Sequence, residues 1–229
     1  MKENKLNVVF CGYRSWALEA ISVLSANPQL HVVCIISSKE EYDQKIDTVN
    51  DKIDVVLFIG WSWIVAKDVA RKFLCLGVHP SDLPNFRGGS PLQHQIISGI
   101  KDSKLTLFTI SDKLDAGDIW LKSDLNLRGD SMNVVLEQLK ESTISLIENF
   151  FERYSALTPV SQELEKGGYF PRRTEDMSRI TADFFSDNEL IHVYNFFRCL
   201  TDPYPNAYLE DSQGNRLYIT GVKYEPVAE

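Results

Sequence analysis

Three short apolar runs rich in β-branched residues limit what this chain can fold into more than any other feature. They are Leu6–Cys11 (LNVVFC), His31–Ile36 (HVVCII) and Asp54–Ile59 (DVVLFI). Runs this short and this apolar read as strands buried on both faces, which need helices above and below them. Between the first two, Ser15 is placed to cap a helix to about Ala26, with Trp16, Ala20, Val23 and Leu24 on one face and Asn27-Pro28 as its stop. After the third, Trp61–Phe73 carries Ile64, Val65, Val69, Ala70 and Phe73 at helical spacing. Strand, helix, strand and helix in alternation predict an α/β fold with a mostly parallel sheet and flanking crossover helices. Ser37–Lys52 is charged and weakly patterned, and is expected to be a loop with at most one helical turn.

The alternation then loosens. Cys75–Val78 reads as a short strand, followed by the loop His79–Gly89, and Ser90 with Pro91 as cap and first residue of a helix to about Gly99. Leu105–Ile110 and Ile119–Leu127 are strands on either side of the loop Ser111–Asp118. Asp130 opens the longest helix, to about Tyr154, whose broad apolar face (Met132, Val135, Leu136, Leu139, Leu146, Ile147, Phe150, Phe151) is a packing face. Beyond Leu157, Ser161–Arg179 is polar and reads as an extended arm. Ser186-Asp187-Asn188-Glu189 reads as a capping box for a helix to Leu200, and Ala207–Glu210 with Leu217–Val222 as a hairpin. Two units are expected, residues 1–157 and a small α+β appendage at 158–229.

Charge and cysteine usage exclude several function classes. Among 229 residues, Lys+Arg number 24 against 32 Asp+Glu, a formal charge of -8. A chain that grips nucleic acid or an anionic membrane through phosphates carries the opposite balance. No apolar run approaches the roughly 20 residues of a membrane span, and Met1–Leu6 is polar rather than a signal sequence. The four cysteines (Cys11, Cys34, Cys75, Cys199) are scattered, as expected of reduced thiols in a cytoplasmic protein. There is no Gly-rich phosphate loop, no His/Cys spacing for a metal and no nucleophilic serine elbow.

Chemistry is therefore expected in the two loops His79–Gly89 and Ser111–Asp118. His79 directly follows a strand and is stiffened by Pro80; Asp115 lies in Leu114-Asp115-Ala116-Gly117-Asp118. Were the loops neighbours, an Asp–His pair would result, able to relay a proton. On spacing alone His79 reads more readily as a satisfied structural residue at a strand end. Arg87-Gly88-Gly89-Ser90 is either an anion cradle or a surface loop with a solvated arginine. Arg172-Arg173 and Arg179 form a local basic spot, a phosphate grip or ordinary surface charge. Trp61 and Trp63 are either core residues or a stacking surface for a flat ring.

The stretch Val78-His79-Pro80-Ser81-Asp82-Leu83-Pro84-Asn85-Phe86-Arg87-Gly88-Gly89-Ser90-Pro91-Leu92-Gln93 is similar to the Asn-x-His-Pro-Ser-x-Leu-Pro-x-Tyr-Arg-Gly-x-x-Pro signature of the formyltransferases that use 10-formyltetrahydrofolate. Thr106-Leu107-Phe108 through Leu114-Asp115-Ala116-Gly117-Asp118-Ile119 resembles that family's second block, and Asp115 lies 36 residues after His79, as in the family pattern. The resemblance covers about residues 5–155 and implies a Rossmann-like catalytic domain. In the tail, Arg172–Asp176, Arg179-Ile180, Phe197-Arg198 and Pro203–Tyr208 resemble segments of amino-sugar and methionyl-tRNA formyltransferases. A tRNA formyltransferase would carry a larger C-terminal barrel and a more basic surface, so the resemblance favours a sugar N-formyltransferase.

The family likeness implies specific roles. His79 and Asp115 would be catalytic, the aspartate taking the amine proton and the histidine stabilising the developing oxyanion. The pterin of 10-formyltetrahydrofolate would enter near Trp61, Trp63 and Ile64 and the Asp112–Asp115 loop. Arg87, Gly88, Gly89 and Ser90, with Arg172, Arg173 and Arg198, would hold the diphosphate of a UDP- or dTDP-linked amino sugar. The family asparagine two residues before the histidine is here Gly77, and Gln93, His94 or a bound water is expected to supply the missing donor. The remaining alternatives are a formyltransferase acting on aminoacyl-tRNA or a carrier-bound amino acid, and a folate-binding module without catalysis. The tail hairpin is a candidate homodimer contact.

Overall fold

The computed structural model describes residues 5–49 and 52–226; Met1–Asn4, most of the polar lead-in, lie outside the described residues. In chain order the elements are β1 (Leu6–Cys11), α1 (Ser15–Leu24), β2 (Leu30–Ile36), α2 (Lys39–Lys45), β3 (Val55–Phe58), α3 (Lys67–Lys72), β4 (Cys75–His79) and the two-residue β5 (Arg87–Gly88). There follow α4 (Pro91–Ile97), β6 (Asp102–Thr109), β7 (Ile119–Asn126), α5 (Met132–Arg153), the two-residue β8 (Tyr169–Phe170), α6 (Leu190–Cys199), β9 (Ala207–Glu210) and β10 (Arg216–Ile219).

The central sheet has the order β2-β1-β3-β4-β6-β7. Its first four strands are parallel, β6 runs antiparallel to β4, and β7 antiparallel to β6. This is the mostly parallel α/β sheet that the alternation of runs predicts. Period-2 side-chain direction divides each strand between two layers. Val8, Phe10, Val55, Leu57 and Leu76 join one core with α1, α4 and α5, whereas Val9, Cys11, Val56, Phe58 and Cys75 join another with Tyr42 and Ile46 below and Val69 and Phe73 of the α3 segment. The first core continues into the tail through Ile180, Val193, Phe196, Phe197, Leu200 and Ala207, with α6 packed on α4. Among the described residues no helix is long and apolar enough to cross a membrane.

Four of the local expectations fail away from the two loops. Ser15 is the first residue of α1 rather than its cap; Arg14 holds the cap position and no side chain caps there. Only Lys67–Lys72 of the expected Trp61–Phe73 helix is helical, because Trp61 is drawn into contact with Tyr42 and Phe58 and Ser62 Oγ accepts the Tyr13 hydroxyl at 2.8 Å. The Ser186–Glu189 box does not form: Ser186 Oγ donates to the Asp183 carbonyl at 2.9 Å, closing a preceding turn, and α6 begins at Leu190.

The fourth failure is Ser37–Lys52, which contains the two-turn helix α2. Ser38 Oγ accepts the Glu41 N–H at 3.1 Å, and the Glu41 carboxylate accepts the Ser37 N–H and hydroxyl at 2.7 and 2.9 Å. Tyr42, Ile46 and Val49 are buried at i, i+4 and i+7. The Lys45 hydrogen bond, then the two donors of Ser37, pull the Glu41 carboxyl down to about 2. Ser38→Ala is expected to cost about 1 kcal/mol, read as a lower urea midpoint. Since the folded value of Glu41 lies below its ordinary one, its contribution is full above pH 4.5 and lost as pH falls toward 2. Amide exchange in α2 that quickens only in that acid window is the corresponding check.

Candidate active site

His79 ends β4 at 6% exposure, and the turn after it is bonded from three sides. The Gln95 side-chain amide of α4 donates to the Pro80 carbonyl at 2.7 Å, Thr106 Oγ1 of β6 donates to the Ser81 carbonyl at 2.7 Å, and Lys122 Nζ of β7 donates to the Leu83 carbonyl at 2.6 Å. The loop then folds back so that the Phe86 carbonyl accepts from His79 Nε2 at 2.8 Å. A carbonyl can only accept, so Nε2 carries the hydrogen and Nδ1 is the nitrogen left to exchange a proton.

Nδ1 faces the Asp115 carboxylate at 3.7 Å. The same Oδ2 accepts the Gly88 N–H at 2.8 Å, so one carboxylate joins the two loops that the sequence singled out. At 3.7 Å no direct hydrogen bond links the pair, so proton exchange between them would need a small closure or one bridging water. Three non-glycine residues adopt left-handed backbone among the described residues: Phe86 (φ 53°), Ser90 (φ 53°) and Asp115 (φ 49°). Phe86 and Asp115 lie in these loops and Ser90 directly follows the first, the clustering expected where backbone strain serves a site.

The other expected residues divide. Trp61 is half-buried, while Trp63 and Ile64 are 37% and 87% exposed, and the Tyr13 ring lies 4.4 Å from Trp63. Among the described residues no backbone group of Trp61–Ile64 makes a hydrogen bond. Asp112 pairs with Lys67 and Arg71 of α3 at 3.6 Å, tying its loop beside the Trp61–Ile64 segment. Gln93 is 4% exposed and its side chain makes no hydrogen bond among the described residues, whereas His94 Nε2 is held by the Pro171 carbonyl at 2.9 Å.

The arginines do not converge as expected. Arg198 is 4% exposed and bound to Asn195 and to the Leu127 and Gly129 carbonyls, which accept at 2.9 and 3.1 Å. Arg173 lies over the Phe196 ring and donates to the Met177 carbonyl, and burial lowers its pKa. Arg87 reaches the Leu164 carbonyl at 3.4 Å and keeps a buried Nε with no partner. Arg172 is exposed and its side chain makes no hydrogen bond or ion pair among the described residues. Ser90, in its left-handed conformation, does not cap α4; its Oγ accepts the Arg173 N–H at 3.1 Å. Sequence reasoning also missed Gln162, whose side-chain amide donates to the Asp115 and Gly117 carbonyls at 3.1 and 2.7 Å. No sequence signal marks it beyond its place in the polar arm.

A family model described as "Formyl transferase" matches residues 8–146, a span that holds both loops. The chain belongs to this family. A methionyl-tRNA formyltransferase of Caldicellulosiruptor saccharolyticus is 26% identical over 168 residues, covering 72% of this chain and 52% of the relative. The chain thus spans about half the length of the curated relatives it matches, or less. The structure of a methionyl-tRNA formyltransferase from Clostridium thermocellum is similar with a TM-score of 0.84 and 27% identity, over 96% of this chain and 94% of that one. A 4-N formyltransferase from Francisella tularensis shares the fold with a TM-score of 0.80 at 16% identity, over 98% and 100% of the two chains.

Gly77, two residues before His79 in β4, stands in a filled space. A Cβ at Gly77 would meet the Phe108 ring at 2.9 and 3.0 Å. Phe108 is 5% exposed and stands edge-on to His79 with ring centroids 6.3 Å apart. Gly77→Ala is expected to cost about 1–3 kcal/mol through overpacking. In the Gly77→Ala/Phe108→Leu double variant much of that loss returns, so a double-mutant cycle by urea unfolding gives a non-zero coupling; strictly additive losses would show the two positions do not compete for space.

Proposed function

We propose that this chain transfers a formyl group from 10-formyltetrahydrofolate to the amine of a UDP- or dTDP-linked amino-deoxy sugar. The observation that carries the reading is the His79–Asp115 pair, 3.7 Å apart within the family-matched span, with its exchangeable nitrogen facing the carboxylate. In the reaction the amine nitrogen bonds to the formyl carbon, the bond from that carbon to folate N10 breaks, and the proton lost by the amine ends on N10. Asp115 takes the proton from the attacking amine and His79 Nδ1 shares it, so the pair carries it to the leaving nitrogen. The folate supplies the activated one-carbon unit. The protein's part is to orient both partners and to stabilise the oxyanion.

The residues around the pair fit both ligands. The unbonded backbone of Trp61–Ile64 and the exposed face of Trp63 suit a flat heterocycle read mainly by main-chain groups. The unpartnered Arg87 Nε and the exposed Arg172 are the guanidinium donors left for a diphosphate. The Gln93 amide, which no group among the described residues binds and which is not sealed from solvent, is the candidate oxyanion donor in place of the family asparagine. A donor of this kind contributes on the order of 3 kcal/mol to the transition state.

A second reading has its own support. The sequence relatives are named methionyl-tRNA formyltransferases, so aminoacyl-tRNA is the other candidate acceptor. The formal charge of -8 argues against a long phosphate interface on these residues. The test is a transfer assay with 10-formyltetrahydrofolate and a panel of UDP- and dTDP-linked amino sugars, read by mass spectrometry, with Met-tRNA in parallel at two salt concentrations. One formylated sugar is the expected result. Salt-sensitive formylation of the tRNA alone would move the acceptor to the second reading, and folate binding with no product on any amine would mark a non-catalytic binder. His79→Ala and Asp115→Asn are each expected to abolish transfer in a protein that still melts cooperatively, His79→Ala at a lower midpoint because the Phe86 carbonyl loses its donor; an active, folded variant would overturn the assignment.

A further inference from the structure

The arm after α5 touches both halves of the site, and the way it does so assigns a role to one side chain. At its start Val160 forms an antiparallel bridge with Ile119, its N–H and carbonyl each bonded at 2.8 Å, and the Ser161 hydroxyl donates to Asp118 at 2.8 Å. Farther on, β8 pairs with β5, where the Gly168 and Phe170 carbonyls accept the Arg87 and Gly89 N–H groups at 3.0 and 2.9 Å, and Phe170 stacks on Phe86 at 4.7 Å. Between these two anchors stands Gln162. Its amide nitrogen has two hydrogens, one for each of the carbonyls of Asp115 and Gly117.

Asp115 needs such a hold. An aspartate at φ 49° sits in a sparsely populated conformation that persists only when its surroundings fix it. Turning that residue back to an ordinary backbone would swing its carboxylate away from the Gly88 N–H and from His79 Nδ1. Besides the Gly88 N–H on the carboxylate itself, the hold on the turn's carbonyls comes from one side chain, since the Asp115 and Gly117 carbonyls have no other partner among the described residues. We propose that Gln162 is a positioning residue: by donating to both carbonyls it fixes the left-handed turn that aims the Asp115 carboxylate at Gly88 and His79. This rests on the formyl-transfer reading only for its consequence in turnover; the positioning itself is a property of the free protein.

Two variants separate donation from packing. Gln162→Glu keeps the size and replaces the donor by an acceptor, and Gln162→Met keeps the length without either. The first readout needs no substrate. The Gly88 amide proton, hydrogen-bonded to a carboxylate, is followed by NMR and compared with its position in Asp115→Ala. In both Gln162 variants it is expected to move toward the Asp115→Ala position, with a cooperative melt confirming that each is folded. The second readout is kinetic: kcat falls on the order of a hundredfold, as for a misplaced reacting group, while KM for the acceptor amine changes little. A Gly88 resonance that keeps its place in the folded variants overturns the proposal, as does an unchanged kcat where the resonance has moved. If the wild-type protein forms no product on any amine, the functional reading fails, and the Gly88 resonance alone decides whether Gln162 positions Asp115.

Discussion

The Asp115 carboxylate must be held beside an imidazole by a backbone conformation that aspartate does not readily adopt, and much of the molecule is arranged around that requirement. Phe86, Ser90 and Asp115 each cost of the order of 1–3 kcal/mol to hold in left-handed backbone. Neither loop offsets this alone, because each is short and half-exposed. The Gly88 N–H joins them at the carboxylate itself, and the arm joins them again from outside through β8 and Gln162. The arm in turn is anchored by residues that reach the main core, with Ile180 buried at its far end. A segment with almost no regular structure is thus what links the strained site to the packed interior.

The sheet explains why so much clamping is needed. In a purely parallel sheet the loops leaving neighbouring strands emerge on the same edge. Here β6 is antiparallel to β4, and Ile110 donates to the Cys75 carbonyl, so the loop that carries Asp115 starts level with the beginning of β4. It has to climb back along that strand, roughly 13 Å at the usual rise per residue, to meet His79 at the other end. Gly117 makes the climb possible, since a Cβ there would lie 1.8 Å from the Thr109 carbonyl oxygen. An antiparallel intruder strand therefore brings the acid and the imidazole together through a loop that cannot hold its own shape.

Legibility in the sequence depended on range. The buried strands declared themselves because an apolar β-branched run is a local signal with one simple explanation, and β1, β2 and β3 lie where LNVVFC, HVVCII and DVVLFI predict. The neighbourhood of His79 and Asp115 was suggested by two ordered motifs rather than by any pattern of period. Local capping signals fared worse. Ser38-Lys39-Glu40-Glu41 has the capping-box pattern, hidden in a charged stretch, and caps α2 with the Glu41 carboxylate bound one residue early at Ser37, whereas Ser186–Glu189 has the same pattern and goes into a turn. Burial separates the two: Tyr42, Ile46 and Val49, just after the first box, have a core to pack into, and propensity yields to that burial. Arg198 and Gln162 were illegible for a related reason, because their partners at Leu127, Gly129, Asp115 and Gly117 are far away in sequence.

Gly77 belongs to a packed unit of the sheet. An asparagine at that position would have its Cβ pressed into the ring of Phe108, so placing an amide there requires removing the ring as well. The two residues face each other directly across the β4–β6 ladder, Gly77 opposite Phe108, and the ring fills the space that a larger residue at position 77 would need. The ring also lines one side of His79 with apolar surface, which excludes water there and strengthens the electrostatic interactions that remain. In such a setting the imidazole cannot lean on solvent for a second donor. His94 is already committed to Pro171, and the side chain of the neighbouring Gln93 makes no hydrogen bond among the described residues. The side-chain atoms sealed without a partner near the site are Arg87 Nε and Gln162 Oε1, so the Gln93 amide keeps access to solvent. A ligand reaching Gln93 would therefore replace water there rather than satisfy an orphaned group.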